Sequence, residues 1–154
     1  MKKTISLNPL AWVSNSRQVA EDDHWDSVIS EITLDDSMPD ECLEGIEAFS
    51  HFEVLFYFDK LKDEDIVMGV RHPRGNTGWP KVGIFAQRGR ARPNKLGLCI
   101  VKLISKEGRK LKVLGLDAID GTPILDIKPV MKEFLPREEI RQPEWSSELM
   151  KNYW

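Results

Sequence analysis

Leu98-Cys99-Ile100-Val101-Lys102-Leu103-Ile104, then Lys106-Glu107-Gly108-Arg109, then Lys110-Leu111-Lys112-Val113-Leu114-Gly115-Leu116 is the stretch that decides the fold class. The first run is apolar and rich in strand formers, and the last alternates apolar with polar side chains as a half-buried strand does. The four residues between them form a hairpin turn. Residues 28–34 are β-branched and partly alternating, 54–58 and 82–86 are short continuous apolar runs, and 124–127 is a shorter candidate. Ala11-Trp12-Val13 adds an edge strand. Helix signals are few. One is expected within 39–49, where Cys42, Leu43, Ile46 and Phe49 recur at helical intervals, and one over 143–153, with Pro143 near the first turn and Trp145, Leu149 and Tyr153 four apart. No strand–helix alternation recurs, which argues against a doubly wound parallel sheet. The expectation is a mainly β protein, a small antiparallel β-barrel with short peripheral helices.

The chain has 154 residues, 41% hydrophobic and 31% charged, a balance that suits one globular domain with its own core. That domain is expected over 1–138, with 139–154 as a short C-terminal tail or helix. The net charge of -3 hides an asymmetry. Residues 1–70 carry five Lys and Arg against sixteen Asp and Glu, whereas 71–110 carry eleven against the single acid Glu107. A segment so basic suits phosphate or another anion even though the whole-chain charge does not. No run approaches the roughly 18 apolar residues of a membrane span, and Leu7-Asn8-Pro9-Leu10 interrupts any apolar signal core. Cys42 and Cys99 stand far apart, and His24, His51 and His72 lack metal-ligand spacing, so no metal site is expected and a reduced cytoplasmic setting is.

Three segments carry candidate chemistry. Arg71-His72-Pro73-Arg74-Gly75-Asn76-Thr77-Gly78-Trp79-Pro80-Lys81 holds cations on a backbone too rich in Gly and Pro for a regular element; a solvated connector accounts for it equally well. Arg88, Arg90 and Arg92, spaced by two, would point the same way on an extended chain, and their guanidinium forks suit carboxylate or phosphate, although loop arginines usually face water. Asp117 and Asp120 lead into Gly121-Thr122-Pro123, one carboxylate more than a turn needs, which fits ribose, amine or cation contacts as well as a capped turn. Ser50-His51 offers no nucleophile elbow. Adjacent residues on an extended chain face opposite ways, so the two are not expected to form a hydrogen-bonded pair.

Taken in order, Gly45-Ile46-Glu47-Ala48-Phe49-Ser50-His51-Phe52, Gly83-Ile84-Phe85-Ala86-Gln87-Arg88, Arg92-Pro93-Asn94 and Asp117-Ala118-Ile119-Asp120-Gly121-Thr122-Pro123 with Asp126-Ile127-Lys128-Pro129 resemble the TsaA/YaeB-like (TrmO-type) tRNA methyltransferase family. The resemblance covers roughly residues 10–135. It implies an antiparallel β-barrel that binds S-adenosylmethionine, works as a homodimer and methylates N6 of a threonylcarbamoyl-adenosine-type nucleoside in tRNA. Carried over by position, it implies cofactor contacts at Arg88, Leu98, Asp120, Gly121 and Thr122, and less securely at Asp59 and Lys60. Asp117 joins them as an acceptor for ribose or amine. Arg71, Arg74, Lys81, Arg90, Arg92, Asn94 and Lys95 are the candidates for RNA.

The sequence departs from the family pattern at Lys95, which stands where the motif has a second proline, and at Arg17-Gln18-Val19, where the N-terminal Arg-Gln-Pro loop is not recognisable. No counterpart of the longer members' extra C-terminal domain is expected within these 154 residues. These departures leave a second hypothesis open, a non-catalytic barrel that binds RNA or a small anionic ligand.

Overall fold

The computed structural model describes residues 3–154. Its strands are β1 (Ala11–Ser14), β2 (Ile29–Leu34), β3 (His51–Tyr57), β4 (Val70–Arg71), β5 (Val82–Gly83), β6 (Leu96–Glu107), β7 (Lys110–Leu114) and β8 (Pro123–Pro129). Six of them close an antiparallel barrel in the order β1-β2-β7-β6-β3-β8, and the pair of Ala11 with Ile124 joins β8 back to β1. Closure leaves no unpaired barrel edge. The alternation that marks the strands sends Ile32, Phe52, Val54, Phe56, Val101, Leu111 and Val113 inward, each at most 2% exposed. Each such buried side chain contributes roughly 1.5–3 kcal/mol. The β6–β7 hairpin pairs Glu107 with Lys110, so its loop has two residues. Gly108 is the first of them, at φ 57, the left-handed position so tight a turn requires.

Four expectations differ from the observed structure. Ala11–Ser14 is not an edge strand, since it pairs with β2 on one side and β8 on the other. The apolar run 82–86 is not a barrel strand. Only Val82 and Gly83 are extended, paired with β4 in a separate two-stranded sheet, and Ile84–Ala86 turns as a 3₁₀ helix. The helix within 39–49 is two short 3₁₀ turns, Asp40–Leu43 and Ile46–Ala48, separated at Gly45, whose φ of 77 breaks any helix. The C-terminal helix α1 spans Glu144–Leu149 and stops there, and Tyr153 uses its carbonyl to accept from the Trp25 N–H instead.

The antiparallel order sorts the connections to the two barrel rims. At one rim lie the connections 15–28, 58–95 and 115–122. At the other lie 35–50 and the β6–β7 hairpin. Arg109 in that hairpin donates to the carbonyls of Asp35 and Met38 and pairs with Asp40, pinning the 35–40 bend beneath the barrel.

Candidate functional site

Every residue marked for cofactor or RNA, apart from Leu98 on β6, sits in the connections of a single rim. Sequence positions from 59 to 122 meet there because β3, β6, β7 and β8 all start or end at that rim.

Two clusters form. In the first, the Lys60 ammonium donates to the Asp120 carbonyl at 3.0 Å, tying the turn after β3 to the turn before β8. Gly121 takes φ 78 in that turn and Thr122 is buried, its hydroxyl donating to the Ile119 carbonyl at 2.7 Å. One carboxylate oxygen of Asp120 accepts from the Asn15 N–H at 3.1 Å, and the Asp120 N–H donates to the Arg17 carbonyl. Asn15 in turn donates to Ser30 and to the Ala118 carbonyl. The 15–18 stretch, unrecognisable in sequence as a family loop, therefore lies directly against the Asp120 turn. Asp59 is exposed, and its N–H donates to the Tyr57 carbonyl.

In the second cluster, Arg88 donates to the Leu98 carbonyl at 2.5 Å, reaching from the long connection to the start of β6. Asp117 accepts from the Tyr153 hydroxyl through one oxygen, while its other oxygen is buried without a partner. Cys99 and Tyr153 lie within the fields of both Asp117 and Arg88; burial first, and then the Asp117 carboxylate, push the thiol and the phenol upward, and Arg88 opposes both. Both groups therefore stay neutral at physiological pH. A guanidinium and a carboxylate sharing two neutral neighbours make a site of mixed charge, suited to a ligand that carries both signs.

The cations of the 71–110 segment divide sharply. Arg74 pairs with Asp23 at 2.8 Å and lies 3.8 Å from Asp22. Lys95 is buried, donating to the Leu61 carbonyl at 2.7 Å and pairing with Asp63 at 2.5 Å. Arg92 donates to the carbonyls of Gln87 and Gly89. Arg71 is half-buried and its Nε has no partner. Lys81, Arg90 and Asn94 stay exposed. The expectation that Arg88, Arg90 and Arg92 share one direction fails because this stretch bends and turns instead of running extended.

Ser50 and His51 require another correction. The Ser50 hydroxyl and His51 Nδ1 are 2.7 Å apart. Ser50 lies in the bend before β3, so the alternation that would separate the two side chains does not yet apply to it. The pair stands at the opposite rim, beside a cavity of about 320 Å³ lined by Glu47, Ser50, Ile104 and Ser105 among others. A second cavity of about 460 Å³, apolar and lined by Leu10, Met38, Cys42, Ile46 and Ile127 among others, also lies there. Neither is lined by Arg88, Asp117 or Asp120. Among the described residues no group of three or more His, Cys, Asp or Glu is placed to hold a metal ion, and no helix is long and apolar enough to cross a membrane.

The family model of the tRNA-methyltransferase O N-terminal domain matches residues 17–134. The chain belongs to that family. Its barrel superposes on a crystal structure of TrmO from Pseudomonas aeruginosa with a TM-score of 0.75 at 26% identity, covering 94% of this chain and 63% of that one. It is 39% identical over 101 residues to a probable S-adenosyl-L-methionine-binding protein of Pyrococcus abyssi, covering 66% of this chain and 52% of that protein. It is 38% identical over 114 residues to the human tRNA (adenine(37)-N6)-methyltransferase, covering 74% of this chain and 25% of that enzyme. The chain thus spans about half the length of the first of these curated relatives and a quarter of the second.

Tyr153 lies outside the family match and carries no motif. The only trace of it in the sequence is the four-residue spacing from Trp145 and Leu149, which reads as a helix face.

Proposed function

We propose that this protein is an S-adenosylmethionine-dependent methyltransferase acting on the N6 nitrogen of a threonylcarbamoyl-adenosine-type nucleoside in tRNA. The observation that carries the proposal is the convergence of Arg88 and Asp117 at one barrel rim in a chain of this family. The residues suit the cofactor. Arg88 can hold the carboxylate of its methionyl end in a forked pair of hydrogen bonds. Asp117 keeps a buried oxygen without a donor, a cost of about 1–3 kcal/mol that a ligand amine or hydroxyl would remove. The Asp120-Gly121-Thr122 turn, with Asp59 and Lys60 beside it and Leu98 beneath Arg88, completes the contact surface.

When bound, the cofactor supplies a methyl group on a sulfonium centre. Direct transfer to nitrogen asks the protein mainly for alignment and needs no covalent enzyme intermediate. Lys81, Arg90 and Asn94, with the half-buried Arg71 whose Nε is without a partner, meet the RNA, and Arg74, Arg92 and Lys95 hold the loops that present them. The β-barrel domain spans 1–138 with 139–154 as its short C-terminal tail, and the protein works in the cytoplasm as a homodimer. Leu98 and Ile100, with Ile104 beyond the exposed Lys102, are each 47% exposed along the outside of β6, apolar surface that favours burial against a second copy. Sedimentation at micromolar concentration should give twice the chain mass; a single-chain mass would remove the dimer.

Thermal unfolding with S-adenosylmethionine tests the cofactor assignment, since a ligand that binds only the folded state must raise its melting temperature. A rise that Arg88→Ala abolishes supports it. No rise at millimolar cofactor rejects it, and salt-sensitive RNA binding indifferent to the cofactor would then favour a non-catalytic binding module.

A further inference from the structure

The C-terminal segment returns to the candidate rim and is held there from three sides. The His24 N–H donates to the Asn152 carbonyl at 2.9 Å and the Trp25 N–H to the Tyr153 carbonyl at 2.8 Å, so the segment pairs with the loop that follows Arg17. The Trp79 indole donates to Glu148 of α1 at 2.7 Å, and its ring lies 6.5 Å from that of Trp145, which joins α1 to the basic 71–81 loop. Trp154 stacks edge-on against Tyr153 and lies over Gly115, where a Cβ would come 3.6 Å from its ring. These anchors converge on one polar contact, the Tyr153 hydroxyl donating to Asp117.

That contact occupies one oxygen of the carboxylate and leaves the other without an N–H or O–H donor, the Cys99 thiol beside the carboxylate bonding the Gly115 carbonyl. A carboxylate held through one oxygen by a phenol hydroxyl has its orientation fixed. Arg88, donating to the Leu98 carbonyl one residue before the Cys99 thiol that bonds the Gly115 carbonyl, supplies the complementary positive charge on this rim. We propose that Tyr153, carried by the C-terminal segment, is a positioning residue that holds Asp117 to receive the ammonium of a zwitterionic amino-acid group whose carboxylate pairs with Arg88. This deepens the cofactor assignment and rests on it: the amino-acid group is the methionyl end. Residues beyond the family match thereby set the affinity of a site built inside it.

The test is calorimetric binding of two ligands to the full chain. S-adenosylhomocysteine carries the amino-acid end, and 5′-methylthioadenosine lacks it. Tyr153→Phe, which removes only the hydroxyl, should weaken S-adenosylhomocysteine about tenfold, as removal of a hydrogen bond to a charged group does. It should leave 5′-methylthioadenosine within about twofold. Asp117→Asn should show the same selective loss, and the double variant should lose no more than Asp117→Asn alone, because residues acting through one contact are not additive.

Equal loss for both ligands would reduce Tyr153 to a structural role and overturn the proposal. So would unchanged binding, and so would tighter binding, which would make the tail an obstruction. Failure of the unaltered protein to bind either ligand would instead reject the cofactor assignment itself. Should Tyr153→Phe fail to fold, Asp117→Asn alone decides: a selective loss of S-adenosylhomocysteine supports the placement of the ammonium, and an unselective one rejects it.

Discussion

Gly97 on β6 lies against the ring of its β3 partner Phe56, so closely that a Cβ on Gly97 would overlap Cε2 and Cζ of the ring. Phe56 is 1% exposed and has nowhere to go. The glycine that closes the Arg92-Pro93-Asn94 segment is therefore required by packing, whatever the site needs. Gly97→Ala is expected to destabilise the protein by about 2–3 kcal/mol, the usual cost of forcing a methyl into a filled core. Denaturant unfolding checks it: the midpoint should fall without a change in slope.

Asp35 provides a pH dependence of known sign. Hydrogen bonds from Ser37 and from the Trp12 indole, with the Arg109 guanidinium nearby, hold its carboxyl down at about 2, below the 3.8 of an unperturbed group. A carboxyl depressed in the folded state contributes stability that is present above its unfolded value and disappears as the pH falls through its folded one. The stability difference between the protein and Asp35→Asn should thus hold steady near neutrality and narrow between about pH 4 and pH 2. A gap constant across that window would contradict the assignment.

The barrel was legible in the sequence because its strands obey the alternation that burial enforces: Leu111 and Val113 inward, Lys110 and Lys112 outward. The stretch 82–86 misled because a short apolar run does not say what it pairs with. Phe85 ends 82% exposed on a turn outside the barrel. The carboxylates of the site were legible as a motif. Tyr153 was not, since its contact with Asp117 joins residues 36 apart through a tail whose path depends on Trp25, Trp79 and Gly115. The charge count was only half informative. Lys95 has φ 52, a conformation proline cannot adopt, and its side chain turns inward to Asp63. A basic residue at a loop position carries no mark of whether its charge is already neutralised.

That division of cations yields separate outcomes for RNA and for stability. Lys81→Ala with Arg90→Ala should weaken tRNA binding and lower the slope of log affinity against log salt by about 1–2, near 0.9 for each phosphate that is no longer neutralised. Lys95→Ala should instead lower the melting temperature, since it removes a buried ammonium from Asp63 and the Leu61 carbonyl. An unchanged salt slope in the double variant would show that the exposed cations of this segment do not meet phosphate.

The central claim is methyl transfer to a tRNA adenosine, and mass spectrometry of nucleosides tests it most directly. tRNA carrying threonylcarbamoyl-adenosine is incubated with the protein and S-adenosylmethionine labelled in its methyl group, then digested to nucleosides. The account predicts one labelled methyl group on the N6 nitrogen of that nucleoside, and none with Arg88→Ala. Label on a different nucleoside, or none on any nucleoside while the protein still binds the cofactor, would contradict it.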